Sequence, residues 1–222
     1  MVQFQNVSKI YRGGVGEVKS LDSLSLDIKR GEFVVVRGPS GCGKTTLLLA
    51  AGGMLSPTAG TVQVDGQDLY QLSGRARADF RSRTIGFVFQ MFHLVPYLNV
   101  RENVLLAGGT SAAKSNEERV DELLKKLGLS ERGHHRPSAL SAGERQRAAI
   151  ARALIVQPKL ILADEPTGNL DPDNAAEVYR QLKSFHQSGG TVILVTHGSS
   201  AEAQADRVVS MRAGRFHDHT GG

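Results

Sequence analysis

The stretch Gly38-Pro39-Ser40-Gly41-Cys42-Gly43-Lys44-Thr45-Thr46 decides how the rest of the chain is read. Gly38, Gly43, Lys44 and Thr45 stand at the fixed places of the pattern Gly, four residues, Gly-Lys-Ser/Thr, the spacing of a loop that holds a polyphosphate. Glycines let such a loop curl until successive backbone N–H groups face one anion, and the following helix aims its positive end at the same point. Lys44 would then reach the β- and γ-phosphates, while the Thr45 hydroxyl would ligate Mg²⁺. The pattern also fits an ordinary glycine-rich turn, so its flanks matter. Phe33-Val34-Val35-Val36 is a short apolar, β-branched run, and Thr45–Ala51 is a Leu/Ala run with good helix propensity. Strand, loop and helix stand in the required order.

The chain has 222 residues, enough at roughly 150 residues per domain for one large domain or one with a sub-lobe. No apolar run approaches the ~18–20 residues that span a bilayer. The segment Met1-Val2-Gln3-Phe4-Gln5 lacks the basic-then-apolar layout of a signal peptide. A soluble, cytoplasmic protein is expected. The single cysteine, Cys42, excludes an intrachain disulfide framework and agrees with a reducing compartment. A formal charge of +5 admits nucleic acid, an anionic membrane surface, or no specific partner. The densest basic cluster, Arg75, Arg77, Arg81 and Arg83, reads as the solvated face of a surface helix.

Before residue 66 the pattern is that of strands. Val2 and Phe4 alternate with polar neighbours, as do Leu24, Leu26 and Ile28, then Val62 and Val64, with turns at Gly13–Gly16 and Asp65-Gly66. Tyr11 either packs at a strand end or offers a stacking surface for a base. From about Leu69 to Leu129 the pattern is mostly helical, broken by a strand at Thr84–Phe89 that ends at Gln90. Met91–Pro96 then reads as a mobile loop, and Phe92, Leu94, Val95 and Tyr97 are either core or a docking surface for another protein. Val120, Leu123, Leu124 and Leu127 share one helix face, which Gly128 closes.

Ser141 followed three residues later by Glu144 is a capping box that opens a basic helix, with Arg145, Arg147 and Arg152. Leu160-Ile161-Leu162-Ala163 is a buried strand that runs into Asp164-Glu165. Adjacent carboxylates there are a poor packing device, since buried charge is costly without a partner. A Mg²⁺ at Thr45 would be that partner, held by Asp164, with Glu165 polarising an attacking water. A helix follows Asp171-Pro172-Asp173. A third apolar strand, Thr191–Val195, ends at Thr196-His197, and Arg207–Met211 with Ala213-Gly214 reads as a terminal hairpin. His217-Asp218-His219 reads as a frayed tail. Helices between apolar strands imply a parallel sheet, which places ligands at the carboxyl ends of its strands. The loop at Gly38–Thr46, the pair Asp164-Glu165 and His197 should therefore converge.

Taken together, these motifs resemble the ATP-binding subunit of an ATP-binding-cassette (ABC) transporter over nearly the entire chain. Leu140-Ser141-Ala142-Gly143-Glu144 matches the family signature, Leu160–Glu165 its acidic strand and Gly168-Asn169-Leu170-Asp171 the following loop. Gln90, His197 and Tyr11 occupy its Gln-loop, His-loop and adenine-stacking positions. The resemblance implies one α/β domain over 1–222 with a P-loop NTPase (RecA-like) core and parallel sheet, an N-terminal antiparallel β subdomain and a helical signature subdomain. Core and β subdomain would take 1–89 and 154–222, the helical part 90–153. Two units would pair head to tail, most simply as a homodimer, each ATP lying between one copy's Gly38–Thr46 and the other's Ser141 and Gly143. Glu165 would be the general base, His197 would steady the γ-phosphate and water, and Lys44 would hold the phosphates. Gln90 would sense Mg²⁺ and an integral membrane permease, and Asp171 would tie the copies together. The Cys42 thiol would touch the nucleotide.

Three departures stand out: Ala142 for the usual Gly, Glu144 for the usual Gln, and Gly198 after His197 for the commoner Asp. Glu144 would place a negative charge near ATP, which slows turnover at most. The short chain, Gly168–Asp171 and Phe92–Pro96 are similar to the lipoprotein-releasing and macrolide-exporter group, so a cassette at the inner face of the membrane is expected, with no nucleic-acid partner. An importer ATPase, a non-transport ABC protein acting on nucleic acid or ribosomes, and a phosphotransferase are the rival readings. The signature has no role in the last.

Overall fold

The computed structural model describes residues 1–13, 16–108 and 113–217. The centre of the Gly13–Gly16 turn and the tail residues Asp218 and His219 lie outside them. The chain begins with β1 (Val2–Gly13), β2 (Gly16–Ile28) and β3 (Phe33–Arg37), then α1 (Lys44–Ala51). Next come β4 (Ala59–Val64), β5 (Gln67–Asp68), α2 (Gly74–Thr84), β6 (Ile85–Phe89), α3 (Val100–Gly108) and α4 (Ala113–Lys126). It closes with α5 (Ala142–Leu154), β7 (Leu160–Asp164), α6 (Pro172–Gln187), β8 (Thr191–Thr196), β9 (Arg207–Arg212) and β10 (Arg215–His217).

Two sheets result. An antiparallel sheet runs β2-β1-β4-β5, and a six-stranded sheet runs β10-β9-β3-β8-β7-β6. In the larger sheet β3, β6, β7, β8 and β9 are mutually parallel, with β10 antiparallel on its edge. Its central strands β3, β7 and β8 are apolar on both faces because both are covered, as a parallel sheet between layers requires. Phe33, Val35, Ile161, Ala163, Val192 and Leu194 pack in the core that holds the buried residues of α4, α5 and α6. Their alternates Val34, Val36, Leu160, Leu162, Ile193 and Val195 pack with α1 and the inner face of the antiparallel sheet, including Val2, Phe4, Val62 and Val64. A side-chain period of two thus divides one sheet between two cores.

Local signals set the helix ends. Ser73 caps α2 by accepting from Ala76 N, and Asp171 caps α6 by accepting from Asn174 N. After α4 the chain turns through Gly128 at φ +65°, where Leu129 N donates to Leu124 O at 2.7 Å. On α2, Arg75 and Arg83 are exposed, whereas Arg77 lies 5.3 Å from the Tyr70 ring centroid and Arg81 donates to Gly53 O. The arginine cluster is therefore part solvated face and part packing.

The segment expected to be a mobile loop is tied down instead. The buried Asn103 amide accepts from Val95 N (2.7 Å) and donates to the carbonyls of Val95, Leu98 and Asn99. Arg152, counted from the sequence among the charges of a basic helix, donates to the carbonyls of Phe92 and His93. Leu94 packs against the main core, while Met91 and Tyr97 are exposed. Among the described residues no helix is long and apolar enough to cross a membrane.

Candidate active site

Sheet order brings the chemistry together. β8 lies between β3 and β7, with Arg37 level with Thr196 and Asp164 level with Val195. Gly38 N donates to Thr196 O at 3.4 Å, and Glu165 N donates to Val195 O at 3.0 Å. The residues just beyond the ends of three adjacent strands are thus laid side by side, at the edge where open α/β sheets place ligands.

The glycine-rich loop is shaped by close approach. Gly43, the residue before α1, has φ +108°, and a Cβ there would stand 2.1 Å from Ser20 O. A Cβ on Gly38 would stand 2.1 Å from Met211 O. The loop is thereby wedged between β2 and β9. Lys44 is only 7 % exposed. Its Nζ donates to Gly38 O (2.8 Å) and Pro39 O (3.1 Å), so the ammonium is folded over the loop's own carbonyls. Ser40 and Gly41 face solvent, and the Thr46 hydroxyl lies 2.7 Å from Ser20 Oγ. Cys42 corrects one expectation: its side chain is 5 % exposed and packs in the core beneath the loop. The thiol therefore points away from the solvent face of the loop, where Ser40 and Gly41 lie.

Asp164 ends β7 and hydrogen-bonds the Thr45 side chain. Burial pushes its carboxyl above the usual range and the neighbouring Glu165 adds to this, while Thr45 and Lys44 oppose it. Hydroxyl and carboxyl are both hard oxygen donors, so the pair fits Mg²⁺. Glu165 sits at φ +45°, a left-handed conformation uncommon outside glycine. Its Oε1 lies 2.9 Å from His197 Nδ1 and 3.9 Å from Lys44 Nζ, and its Oε2 accepts from Thr196 Oγ1 at 3.0 Å. The phosphate-loop lysine, the proposed base and His197 are therefore already in mutual reach.

The remaining expected residues are placed as follows. Tyr11 is exposed near the end of β1, with Lys9 Nζ 5.3 Å from its ring centroid. Gln90 follows Phe89, which is level with Asp164, and its side chain lies over Gly168 and donates to Asn169 Oδ1 at 3.4 Å. Asp171 is engaged within its own chain, accepting from Asn174 N and Nδ2. Ser141 and Glu144 form the capping box, and the buried Gly143 packs against Asn174, whose Oδ1 would lie 1.9 Å from a Cβ there. Among the described residues, none of the hydrogen bonds of Ser141 or Glu144 reaches Gly38–Thr46.

Two departures in the signature also become clear. Ala142 is the first residue of α5, where a good helix former is favourable. Glu144 accepts from Ser141 N (2.8 Å) and Arg132 Nε (3.0 Å), so its charge is answered locally. These contacts, led by the Ser141 N–H, hold its carboxyl below the usual range. A depressed folded-state value stabilises above the unfolded value and is lost as pH falls through the folded one. Glu144→Gln should accordingly melt lower than wild type near neutrality and converge with it in acid, as thermal melts across pH will read. Gly198 has room for a side chain: a Cβ there meets Thr196 Oγ1 at 3.7 Å, ordinary contact.

Sequence reasoning missed Ser20, Thr196, Gln146 and Asn174. Gln146 is fully buried and donates to Pro166 O at 2.7 Å, just beyond Glu165. None of the four belongs to a legible local pattern except Thr196, whose place beside His197 was the available signal.

A wedged phosphate loop under a helix N-terminus, with adjacent carboxylates and a histidine at the neighbouring strand ends, defines an ATP-hydrolysing cassette of the P-loop class. The comparisons agree. The family model "ABC transporter" matches residues 21–168, and the chain belongs to that family. It is 43% identical to the ABC transporter ATP-binding protein YknY of Bacillus subtilis, over 97% of this chain and 95% of that one. The lipoprotein-releasing system ATP-binding protein LolD of Shewanella frigidimarina is 43% identical, over 96% of this chain and 91% of LolD. The macrolide export ATP-binding/permease protein MacB of Chlorobaculum tepidum is 44% identical, over 96% of this chain but 33% of MacB. A dimeric, post-hydrolysis structure of the ATP-binding cassette MJ0796, bound to ADP and Pi, superposes with a TM-score of 0.92 at 37% identity. That match covers 98% of this chain and 97% of MJ0796. The chain is an ABC ATPase cassette of a transporter.

Proposed function

We propose that the cassette pairs with a second copy on binding ATP and drives an integral membrane permease of the lipoprotein-releasing or macrolide-export type, from the cytoplasmic face of the membrane. The observation that carries the pairing is the split of the site. Gly38–Thr46, Asp164, Glu165 and His197 gather at one sheet edge, whereas Ser141 and Gly143 open α5 and are bonded elsewhere. The α5 N-terminus can favour an anion, and among the described residues the hydrogen bonds of Ser141 and Glu144 do not join it to the phosphate loop of its own chain. A head-to-tail copy supplies the phosphate. In the pair, the loop N–H groups and Lys44 hold the phosphates, Tyr11 stacks on the base, and Thr45, Asp164 and Gln90 attend Mg²⁺. Mg²⁺ neutralises phosphate charge when bound. Glu165 takes the proton of the attacking water, His197 orients Glu165 and the γ-phosphate, and Asp171 lies at the seam. A core of 1–89 and 154–222 with a helical part at 90–153 suits this division. Pairing is tested by gel filtration of Glu165→Gln with ATP and Mg²⁺: a dimer supports it, and a persistent monomer overturns it.

The export assignment rests on the resemblance to LolD and MacB, each matched over nearly the whole of this chain. Exposed apolar side chains support a place for the permease contact. Met91, Tyr97 and Leu106 are 67%, 72% and 60% exposed, and Leu106 lines a groove of about 360 Å³ with Phe87, Ala107, Arg152 and Val156. An apolar helix end of a membrane partner fits such a groove. Tyr97→Glu with Leu106→Glu should abolish co-purification with the permease from membranes and leave nucleotide binding intact. Undiminished co-purification would place the contact elsewhere.

A further inference from the structure

We infer that the Thr196 hydroxyl is a positioning group for hydrolysis, holding Glu165 in the rotamer from which it acts; this deepens the assignment of Glu165 as base and rests on it. Thr196 is the last residue of β8 and is 5 % exposed. Its Oγ1 donates to Glu165 Oε2 at 3.0 Å and accepts from Gly198 N at 3.0 Å. A hydroxyl has one proton to give and lone pairs to receive, so both bonds are made at once. One side chain thus fastens the carboxylate to the turn that presents His197.

The need for such a fastening lies in the backbone. Glu165 occupies φ +45°, a conformation its own chemistry does not favour. A strained residue persists only where its surroundings over-determine it. Glu165 is held by its N–H on Val195 O and by two side-chain hydrogen bonds, one to each carboxylate oxygen, with Lys44 Nζ farther off at 3.9 Å from Oε1. Of those two partners, His197 is largely exposed and Thr196 is buried. An exposed imidazole is free to swing towards an incoming phosphate or water. The buried hydroxyl then becomes the side-chain hydrogen bond that remains, and it keeps Oε2 occupied while Oε1 faces Lys44 and the chemistry. A second strut runs parallel: Tyr179 OH lies 2.9 Å from Thr167 Oγ1 and 3.0 Å from Ser200 Oγ, so the loops after Glu165 and after His197 are joined twice. Only the Thr196 strut touches the carboxylate.

The test is a comparison of Thr196→Val, which keeps the β-branched shape, with Thr196→Ser, which keeps the hydroxyl. A lost hydrogen bond to a charged group predicts a fall in kcat of about ten- to a hundredfold for valine. The KM for ATP and ATP-dependent pairing should not move, and serine should restore most of the rate. In a Glu165→Gln background the valine should have no further effect, because the base it positions is gone. Thr196→Ala replaces the valine if valine does not fold. Wild-type turnover in Thr196→Val, equal loss in valine and serine, or a rise in KM matching the fall in kcat would each overturn the inference. If Glu165→Gln itself hydrolyses normally, the fault lies with the base assignment. If Glu165→Gln is inactive and Thr196→Val is normal, the fault lies with Thr196 alone.

Discussion

Glu165→Gln should hydrolyse ATP about 10²–10⁴-fold more slowly than wild type while binding it unchanged, the range by which general bases accelerate proton transfer. The amide keeps the size of the side chain and can still accept from Thr196 Oγ1, so the contact that orients it survives. What goes is the group that takes a proton, and with it the pairing to His197 Nδ1 at 2.9 Å as a carboxylate. Lys44 is 3.9 Å away and has loop carbonyls as its nearer partners, so phosphate binding does not depend on the charge at residue 165. Phosphate release by the purified protein measures the first effect, and calorimetric titration with ATP the second. A variant that turns over at the wild-type rate would remove Glu165 from the role of base.

Gly43→Ala should lose ATP binding and melt on the order of 10 °C lower. Two obstacles act together. At φ +108° an L side chain is strained, at a cost of roughly 1–3 kcal/mol. Its Cβ would also fall 2.1 Å from the Ser20 carbonyl oxygen, which is backbone of β2 and cannot rotate away. Overpacking of this kind costs about 1–3 kcal/mol more. Relief requires either the loop or β2 to shift, and each shift opens the cradle that precedes α1. Gly41→Ala is the matched control: φ is +78°, yet nothing stands within 4 Å of its Cβ. It should show the backbone cost alone and a smaller fall in melting temperature. Equal losses in the two alanines would show that close approach to Ser20 is not what demands glycine at 43.

The two effects arise in segments, one after β7 and one before α1, whose chemistry was legible from residue order and whose surroundings were not. The phosphate pattern, the acidic pair at the end of a buried strand and the Ser141/Glu144 capping box are statements about neighbours in the chain, and each is found where the spacing placed it. Other signals misled because they depend on the far side of the molecule. Cys42, between two glycines, reads as a loop thiol beside a nucleotide and is instead core, since β9 and β2 close over that part of the loop. Glu144 reads as an unanswered charge until Arg132 is seen beside it. Met91–Pro96 reads as loose until the buried amide of Asn103 and the guanidinium of Arg152 are found on its carbonyls.

By itself the sequence determined the strand–loop–helix around Gly38–Thr46, the alternation of apolar strands with helices and the helix caps, and it nominated Lys44, Asp164, Glu165 and His197 for one site. These follow from periodicity, turn chemistry and the cost of burying charge, all of which act over a few residues. The tertiary structure alone decided that β8 lies between β3 and β7, so that Gly38, Glu165 and Thr196 meet. It also decided that Ser20 lies against the loop, that Cys42 points inward, and that a threonine hydroxyl as well as a histidine bonds Glu165. Such contacts join segments distant in the chain, and strand order and register, to which short-range patterns are blind, set which atoms they bring together.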